Sequence, residues 1–305
     1  MRFAVEAWAP DYGVAAETLT SENDEITATV ECGIELPMRE WRPLMPVAAV
    51  PSSTAFVDGI DRIDAQVWIE QDGGEVRPGL CATYAAGLVR CNGRALVESV
   101  EVRRGLFTAS PGAREIRTPH VTYELRMSAG TIDQLGIAVV ERMRQLEADV
   151  ARAVTGADLI VLDGLLWGRT DVEHAIGYVK SHRAPYLPEE QNAVVGRLAP
   201  GQRTPVFLIS TTWTRYSWYL RLPGGRGHPW AGVVRCEANP DLSPGDVVSL
   251  ADLAAVTLPR FASASHKDPR APQNLYPIAG LERELRRRSG DALLLYRGLR
   301  QSAAS

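Results

Sequence analysis

The chain has 305 residues, 45% of them hydrophobic and 23% charged, enough for one large soluble domain or two ordinary ones with a full core. Thirty-three Lys and Arg against thirty-seven Asp and Glu give a formal charge of −4, which excludes a generally basic nucleic-acid coat; any polyanion contact must come from a local basic face. Cys32, Cys81, Cys91 and Cys236 form no CxxC pair, which excludes a zinc knuckle or a disulfide framework and predicts a reduced, cytoplasmic setting.

The opening residues, MRFAVEAWAPDYG, place Glu6 and Asp11 where a secretory leader needs a continuous apolar stretch, and no run approaches the roughly 18 apolar residues of a membrane span. Residues 24–36 alternate, with Ile26, Ala28, Val30 and Cys32 against Thr27, Thr29 and Glu31, which predicts a half-buried strand ahead of a proline-rich passage ending at Pro51. Residues 1–45 therefore read as an N-terminal β extension to a main domain over 46–305. From Thr54 to Arg90, short apolar runs broken by Asp and Gly predict an antiparallel meander whose first strand ends at Asp58.

From Thr131 the period changes. Ile132, Leu135, Val139, Met143, Leu146, Val150 and Val154 step by three and four, Thr131 and Gln134 form a capping box, and Gly156 stops the helix. ADLIVLDG then predicts a strand covered on both faces and closed by Asp163. Further strands are expected at 175–179, 205–210, 214–222 and 232–237, with helices near 250–260 and 278–289. The fold class is α/β, a mixed sheet flanked by helices. At the C-terminus Arg283, Arg286, Arg287, Arg288, Arg297 and Arg300 crowd one stretch, as either a track for a nucleic-acid backbone or a solvated helix face.

Two sites share one form: an apolar strand running into Asp-Gly, at Asp58 in AFVDG and at Asp163 in IVLDG. In open α/β sheets ligands gather at strand carboxyl ends, and a following Gly lets a backbone or substrate come close. Asp-Gly is equally a common turn. At about 100° per residue, Glu141 falls opposite the apolar stripe of the helix, whereas Glu147 lies about 60° from its centre and faces the protein. A carboxylate so placed is paired, protonated or metal-bound, and Arg144 is the nearest candidate partner.

Three hard oxygen acids without a Cys/His cluster suit Mg²⁺ or Mn²⁺, and two such ions clamp the attacking and leaving oxygens of a phosphodiester. Lys180 and Arg221 are candidates to neutralise the phosphates. TWTRYSWYLRL interleaves Trp213, Arg215, Tyr216, Trp218, Tyr219 and Arg221, either a stacking-and-cation surface for single strands or an ordinary core strand. His120, His174, His182, His228 and His266 show no metal-ligand spacing and read as surface or structural. No GxSxG elbow is present, and PGGRG at 223–227 lacks the Lys-Ser/Thr of a phosphate-binding loop and reads as a hairpin loop.

Taken in order, FVDG, the helix with Arg144 to Glu147, LIVLDGLL, GYVK, WYLRL, VVRCE and DPRAPQNLYP resemble the NurA nuclease family over residues 55–300. The resemblance implies a ribonuclease H-like core, a homodimer and a hexameric HerA-type (FtsK-like) ATPase partner in DNA end processing and repair. It makes Asp58 and Asp163 the metal-binding aspartates for Mn²⁺ or Mg²⁺, Glu147 the intervening glutamate and Lys180 the lysine after the next strand. Glu237 matches a further acidic metal position, and Tyr276 the tyrosine of a Tyr-Pro motif. The chain departs from the pattern where Glu284 stands in place of a His two turns later, and where Leu165 follows Gly164 in place of a Ser. Two functions are carried forward. The first is a metal-dependent DNA exonuclease or endonuclease working on DNA with such a translocase. The second is a catalytically weak DNA-guiding subunit docked on the ring ATPase.

Overall fold

The computed structural model describes residues 1–5, 28–71, 74–180 and 186–304; the expectations resting on Glu6, Asp11, Ile26, Thr27 and His182 lie outside them. The chain enters with β1 (Arg2–Val5) and β2 (Thr29–Glu31). The long strands β3 (Thr54–Glu70), β4 (Val76–Cys91) and β5 (Ala95–Thr108) follow, then β6 (Ile116–Arg117) and β7 (Thr122–Met127). Helix α1 (Ile132–Arg152) leads to β8 (Leu159–Asp163), β9 (Ala175–Val179) and α2 (Glu189–Gly196). The chain closes with β10 (Phe207–Ser210), β11 (Thr214–Arg221), β12 (Val233–Ala238), α3 (Pro244–Thr257), α4 (Tyr276–Arg288) and α5 (Ala292–Ala303). The fold is α/β, and the twelve strands of the described residues join in the order β2-β10-β11-β12-β9-β8-β3-β4-β5-β7-β6, with β1 added on β3.

The meander is present but built differently from the sequence expectation of short strands. β3, β4 and β5 have 17, 16 and 14 residues, and Asp58 does not end a strand: it lies opposite Gly87 and β3 runs on for twelve more residues to Glu70. The reason lies at the edges. Residues 54–57 of β3 pair with β8 in parallel and residues 67–70 pair with β1, while β4 lines the other edge throughout, so the backbone keeps hydrogen-bond partners past the Asp-Gly pair. β9 runs parallel to β8, and β12 is antiparallel to β9.

Two helices clamp the meander. α1 opens with the capping box, Thr131 N–H donating to Gln134 Oε1 at 2.8 Å, and buries Leu135, Val139, Leu146 and Val150 against Val57, Tyr84 and Leu162. On the other face α4, with Pro277 in its first turn where no amide is needed, buries Ile278, Leu281 and Leu285 with Phe56, Val161 and Tyr178. β8 alternates between the two clusters, as a strand covered on both faces must. The approach of α4 depends on Gly87: a Cβ there would stand 3.0 Å from Leu281 Cδ1 and 2.8 Å from the Ser99 carbonyl.

The first forty-five residues, read as an extension, join the sheet at two separate places, β1 on β3 and β2 on β10. Their anchor is charged. Arg203, 2% exposed, makes a forked pair with Glu35 at 2.7 and 2.9 Å and a third bond to Asp252 of α3 at 2.7 Å. Among the described residues no helix is long and apolar enough to cross a membrane. Arg203→Ala strands two acids against a closed surface, and is expected to lower the unfolding free energy by about 3–5 kcal/mol in urea titrations. A loss below about 1 kcal/mol would contradict the anchor.

Candidate functional site

The site forms where β8 and β9 stop and β3 continues. One residue past the Val57–Leu162 pair, Asp58 and Asp163 stand on neighbouring parallel strands, and alternation puts both on the α4 side of the sheet with Phe56 and Val161. Glu147 arrives from the opposite side, on α1. It is 4% exposed, while Glu141 is exposed, as the helical angles predict. What lets Glu147 reach the aspartates is Gly59: a Cβ there would collide with Met143 Sδ and stand 2.8 Å from Glu147 Oε1. The Gly after the first aspartate thus makes room for an acid, and no turn occurs. At Asp163 the turn is real, since Gly164 takes φ +87°.

Each acid has a different partner. Lys180 Nζ donates to Asp163 Oδ2 at 2.6 Å and to Asn274 Oδ1 at 3.3 Å, and Asn274 in turn bonds Asp268 at 2.6 Å. Glu147 Oε2 accepts from Arg169 Nη1 at 3.0 Å, with both side chains about 5% exposed. Arg169 also donates to the carbonyls of Asp163 and Leu165, which ties the loop after β8 to α1. Asp58 accepts only from the Gly59 amide, at 2.9 Å, among the hydrogen bonds of the described residues.

The electrostatic result is a strained group of acids. Burial, then the charges of Asp163 and Glu147, push the Asp58 carboxyl well above the ordinary carboxylate range, against the weaker pull of Lys180 and the Gly59 amide. Burial pushes Glu147 up to about 7, helped by Asp163 and opposed by Arg169 and Arg144. Pairing of Glu147 therefore falls chiefly to Arg169, twenty-two residues away, with Arg144 a lesser contributor. Asp58, Glu147 and Asp163 offer only carboxylate oxygens, a donor chemistry that fits a hard divalent cation. Among the described residues no three His, Cys, Asp or Glu side chains stand together as a ready ligand set, and Glu147 and Asp163 are each engaged by a cation.

Other expected site residues lie elsewhere. Glu237 is fully buried and accepts from Arg215 and Arg235, each at 3.0 Å, and from the Leu166 amide at 3.0 Å; two guanidiniums neutralise it, and it is a structural counter-ion, not a member of the acid group. Arg215 is 2% exposed and stacks 4.6 Å over Trp213. Trp218 is fully buried among the residues packed on α3 and α4, because β11 is flanked on both edges by β10 and β12 and covered on both faces. Arg221 closes its own loop by donating to the carbonyls of Ala231, Pro229, Val195 and Gly196. The aromatic strand is core, and Arg215, Trp218 and Arg221 offer no nucleic-acid surface in this structure. Tyr276 and Glu284 line a cavity whose walls include none of Asp58, Glu147, Asp163 or Lys180. The C-terminal arginines form a solvated face, Arg286 pairing with Glu282 and Arg287 and Arg288 with Glu284. His120, His174, His228 and His266 are exposed.

Arg169 and Asn274 are the site residues that sequence reading missed; Arg169 lies in no motif, Asn274 sits inside DPRAPQNLYP where only Tyr276 was singled out, and each reaches its partner only through the fold. Comparison with protein-family models and with curated proteins finds no match.

Because the folded chain holds the Asp58 proton more tightly than the unfolded chain, the contribution of this group is present at low pH and lost as pH rises through its folded-state value. Asp58→Asn is expected to be more stable than the native chain in EDTA at pH 8, by on the order of 1–3 kcal/mol, with the gap closing towards pH 4. Urea titrations at the two pH values check this, and an equal gap at both would contradict the acid cluster.

Proposed function

We infer that the chain is a metal-dependent phosphodiesterase acting on DNA, with Asp58, Glu147 and Asp163 as the acids that hold Mn²⁺ or Mg²⁺. The observation that carries the reading is the meeting of three carboxylates from both faces of the sheet, two of them, Asp58 and Glu147, raised in pKa by burial first and by neighbouring carboxylates, Asp163 in both cases. Such a group is stabilised by a divalent cation more than by any single protein cation. The sheet supports a ribonuclease H-like core: a long antiparallel meander, β3-β4-β5, a helix crossing back as α1, then β8 and β9 parallel to β3 in the order β5-β4-β3-β8-β9. The NurA resemblance points the same way, and it supplies the remaining elements of the reading: a second copy of the chain and a HerA-like hexameric translocase.

When bound, the metal would lower the pKa of a water and stabilise charge on the phosphate. The protein side of the chemistry belongs to four groups. Asp58 and Asp163, fixed on adjacent strands, cannot move apart without breaking the parallel ladder. Arg169 occupies one oxygen of Glu147 and so fixes the direction of the other, which faces Gly59. Lys180, 24% exposed at its side chain, is the cation with access to an incoming phosphate. It would steady the phosphate's charge while Asn274 holds the ammonium in place.

The test is cleavage of end-labelled single- and double-stranded DNA with Mn²⁺, Mg²⁺ or EDTA. Asp58→Ala and Asp163→Ala are expected to fall to the EDTA background while melting cooperatively. Lys180→Ala should lose about 100-fold in rate, the cost of removing one transition-state donor. Undiminished cleavage by Asp163→Ala would overturn the assignment. Metal-independent DNA binding that survives Asp58→Ala, with no cleavage even beside a partner ATPase, would favour the DNA-guiding subunit.

A further inference from the structure

A cavity of about 610 Å³ has none of the three acids in its walls. It opens at the end of the sheet where β3 begins, between the β4–β5 hairpin and the α3–α4 corner. Its volume falls in the range of small-molecule sites, roughly 300–1,000 Å³. Its walls are largely apolar, with Val89, Phe261 and Leu281 continuous with the core. Over this floor stands Tyr276, 41% exposed although aromatic, its hydroxyl fixed by accepting from the Ala264 amide at 3.1 Å. The ring is thus held as a rigid flat face, with Lys267 Nζ 5.7 Å from its centre.

The charges at the rim decide what such a site takes. Arg94 and Arg260 both line it, both are exposed, and neither has an ion-pair partner among the described residues. The acid in the wall, Glu284, is neutralised on its own helix by Arg287 at 2.6 Å and Arg288 at 2.8 Å, so the cavity keeps a net positive rim. An apolar slot with a fixed aromatic face and two free guanidiniums matches a flat ring joined to a phosphate: the ring stacks and the planar forks take the phosphate oxygens. A fatty-acid anion would use the floor but not the aromatic face, and a simple inorganic anion would use only the rim.

We propose that this cavity, walled by Tyr276 and Phe261 and rimmed by Arg94 and Arg260, is a second site that binds a nucleoside phosphate, either free or as the terminal residue of a strand. Gly280 gives a clean way to close it. The residue lines the cavity in the middle of α4, and a Cβ there would meet only Arg283 Nη2, at 4.0 Å, so a large side chain enters open space without disturbing the core.

The probe is 2-aminopurine deoxyriboside 5′-monophosphate, and in a second arm a 5′-phosphorylated oligonucleotide with 2-aminopurine at its first position. Both are titrated with the full chain in EDTA, following quenching of the base. Saturable quenching is expected in at least one arm, and the arm shows whether the occupant is free or strand-borne. It should persist in Asp58→Ala, weaken at least about tenfold in Arg94→Ala/Arg260→Ala, and be lost in Gly280→Phe. The nucleoside without phosphate should bind at least about tenfold more weakly. Several results overturn the proposal: no saturable quenching at millimolar probe; binding unchanged by Gly280→Phe; or binding lost in Asp58→Ala, which would place the ligand at the acids. Displacement by a fatty-acid anion without any nucleotide binding would assign the site to apolar anions. A dimer broken by Gly280→Phe with no nucleotide effect would assign it to a second copy of the chain. Because the probe is read without metal or cleavage, its failure leaves the nuclease reading untouched, and the reverse also holds.

Discussion

Like charges forced together where a parallel pair of strands ends are the constraint around which this molecule is organised. Asp58 and Asp163 occupy successive positions past the last rung of the β3–β8 ladder, and Glu147 is delivered against them through the gap left by Gly59. None of the three can relax by moving: two are fixed by strand pairing and one by a helix whose whole apolar face is buried. Burial first, and neighbouring carboxylates after it, push Asp58 well above the carboxylate range and Glu147 up to about 7, which is a cost to the folded state. Proteins accumulate strain of this kind at positions that act on ligands.

The cations around the group divide the work. Arg169, buried and bonded to Glu147 and to two loop carbonyls, is a fixed part of the frame. Lys180 is partly exposed and shared between Asp163 and an amide, which leaves it the cation of the group that solvent can reach. A contrasting cluster lies a few residues along the same sheet. Glu237 is likewise a buried carboxyl side chain, yet it meets two arginines and an amide, and those arginines are themselves covered by Tyr186 and Trp213. There the carboxylate is fully compensated, so it serves structure. At Asp58 the compensation is one backbone amide and the pull of Lys180, and it is outweighed by burial and by the neighbouring acids.

Much of this was legible from local pattern. The capping box and the three-and-four spacing give α1 to within a few residues, and the same periodicity turns Glu147 inward and Glu141 outward. The apolar run before Asp163 gives a strand covered on both faces. What was not legible depends on partners far along the chain. Asp58 looks like a strand end because an Asp-Gly pair usually is one; β1, more than fifty residues earlier, and the continuous β4 edge carry the strand onward. The alternation of Trp, Arg and Tyr in β11 suits a binding face as well as a core. Only the presence of β10 and β12 on its two edges, and of helices over both faces, decides for the core. Glu237, matched by motif alone, proved to be compensated by Arg235 on its own strand and by Arg215 on β11, a pairing that only the register of β11 on β12 reveals.

Whether Asp58, Glu147 and Asp163 hold a cation is tested by ligand-linked stability, without any assumption about substrate. Thermal unfolding of the full chain would be followed against Mn²⁺ concentration, for the native protein and for Asp58→Asn. A cation site at the three acids gives a midpoint that rises with Mn²⁺ in the native chain, by the equivalent of about 2.7 kcal/mol at one hundred times the dissociation constant, and a response abolished in the variant. Equal responses in the two proteins, or none in either, would contradict it.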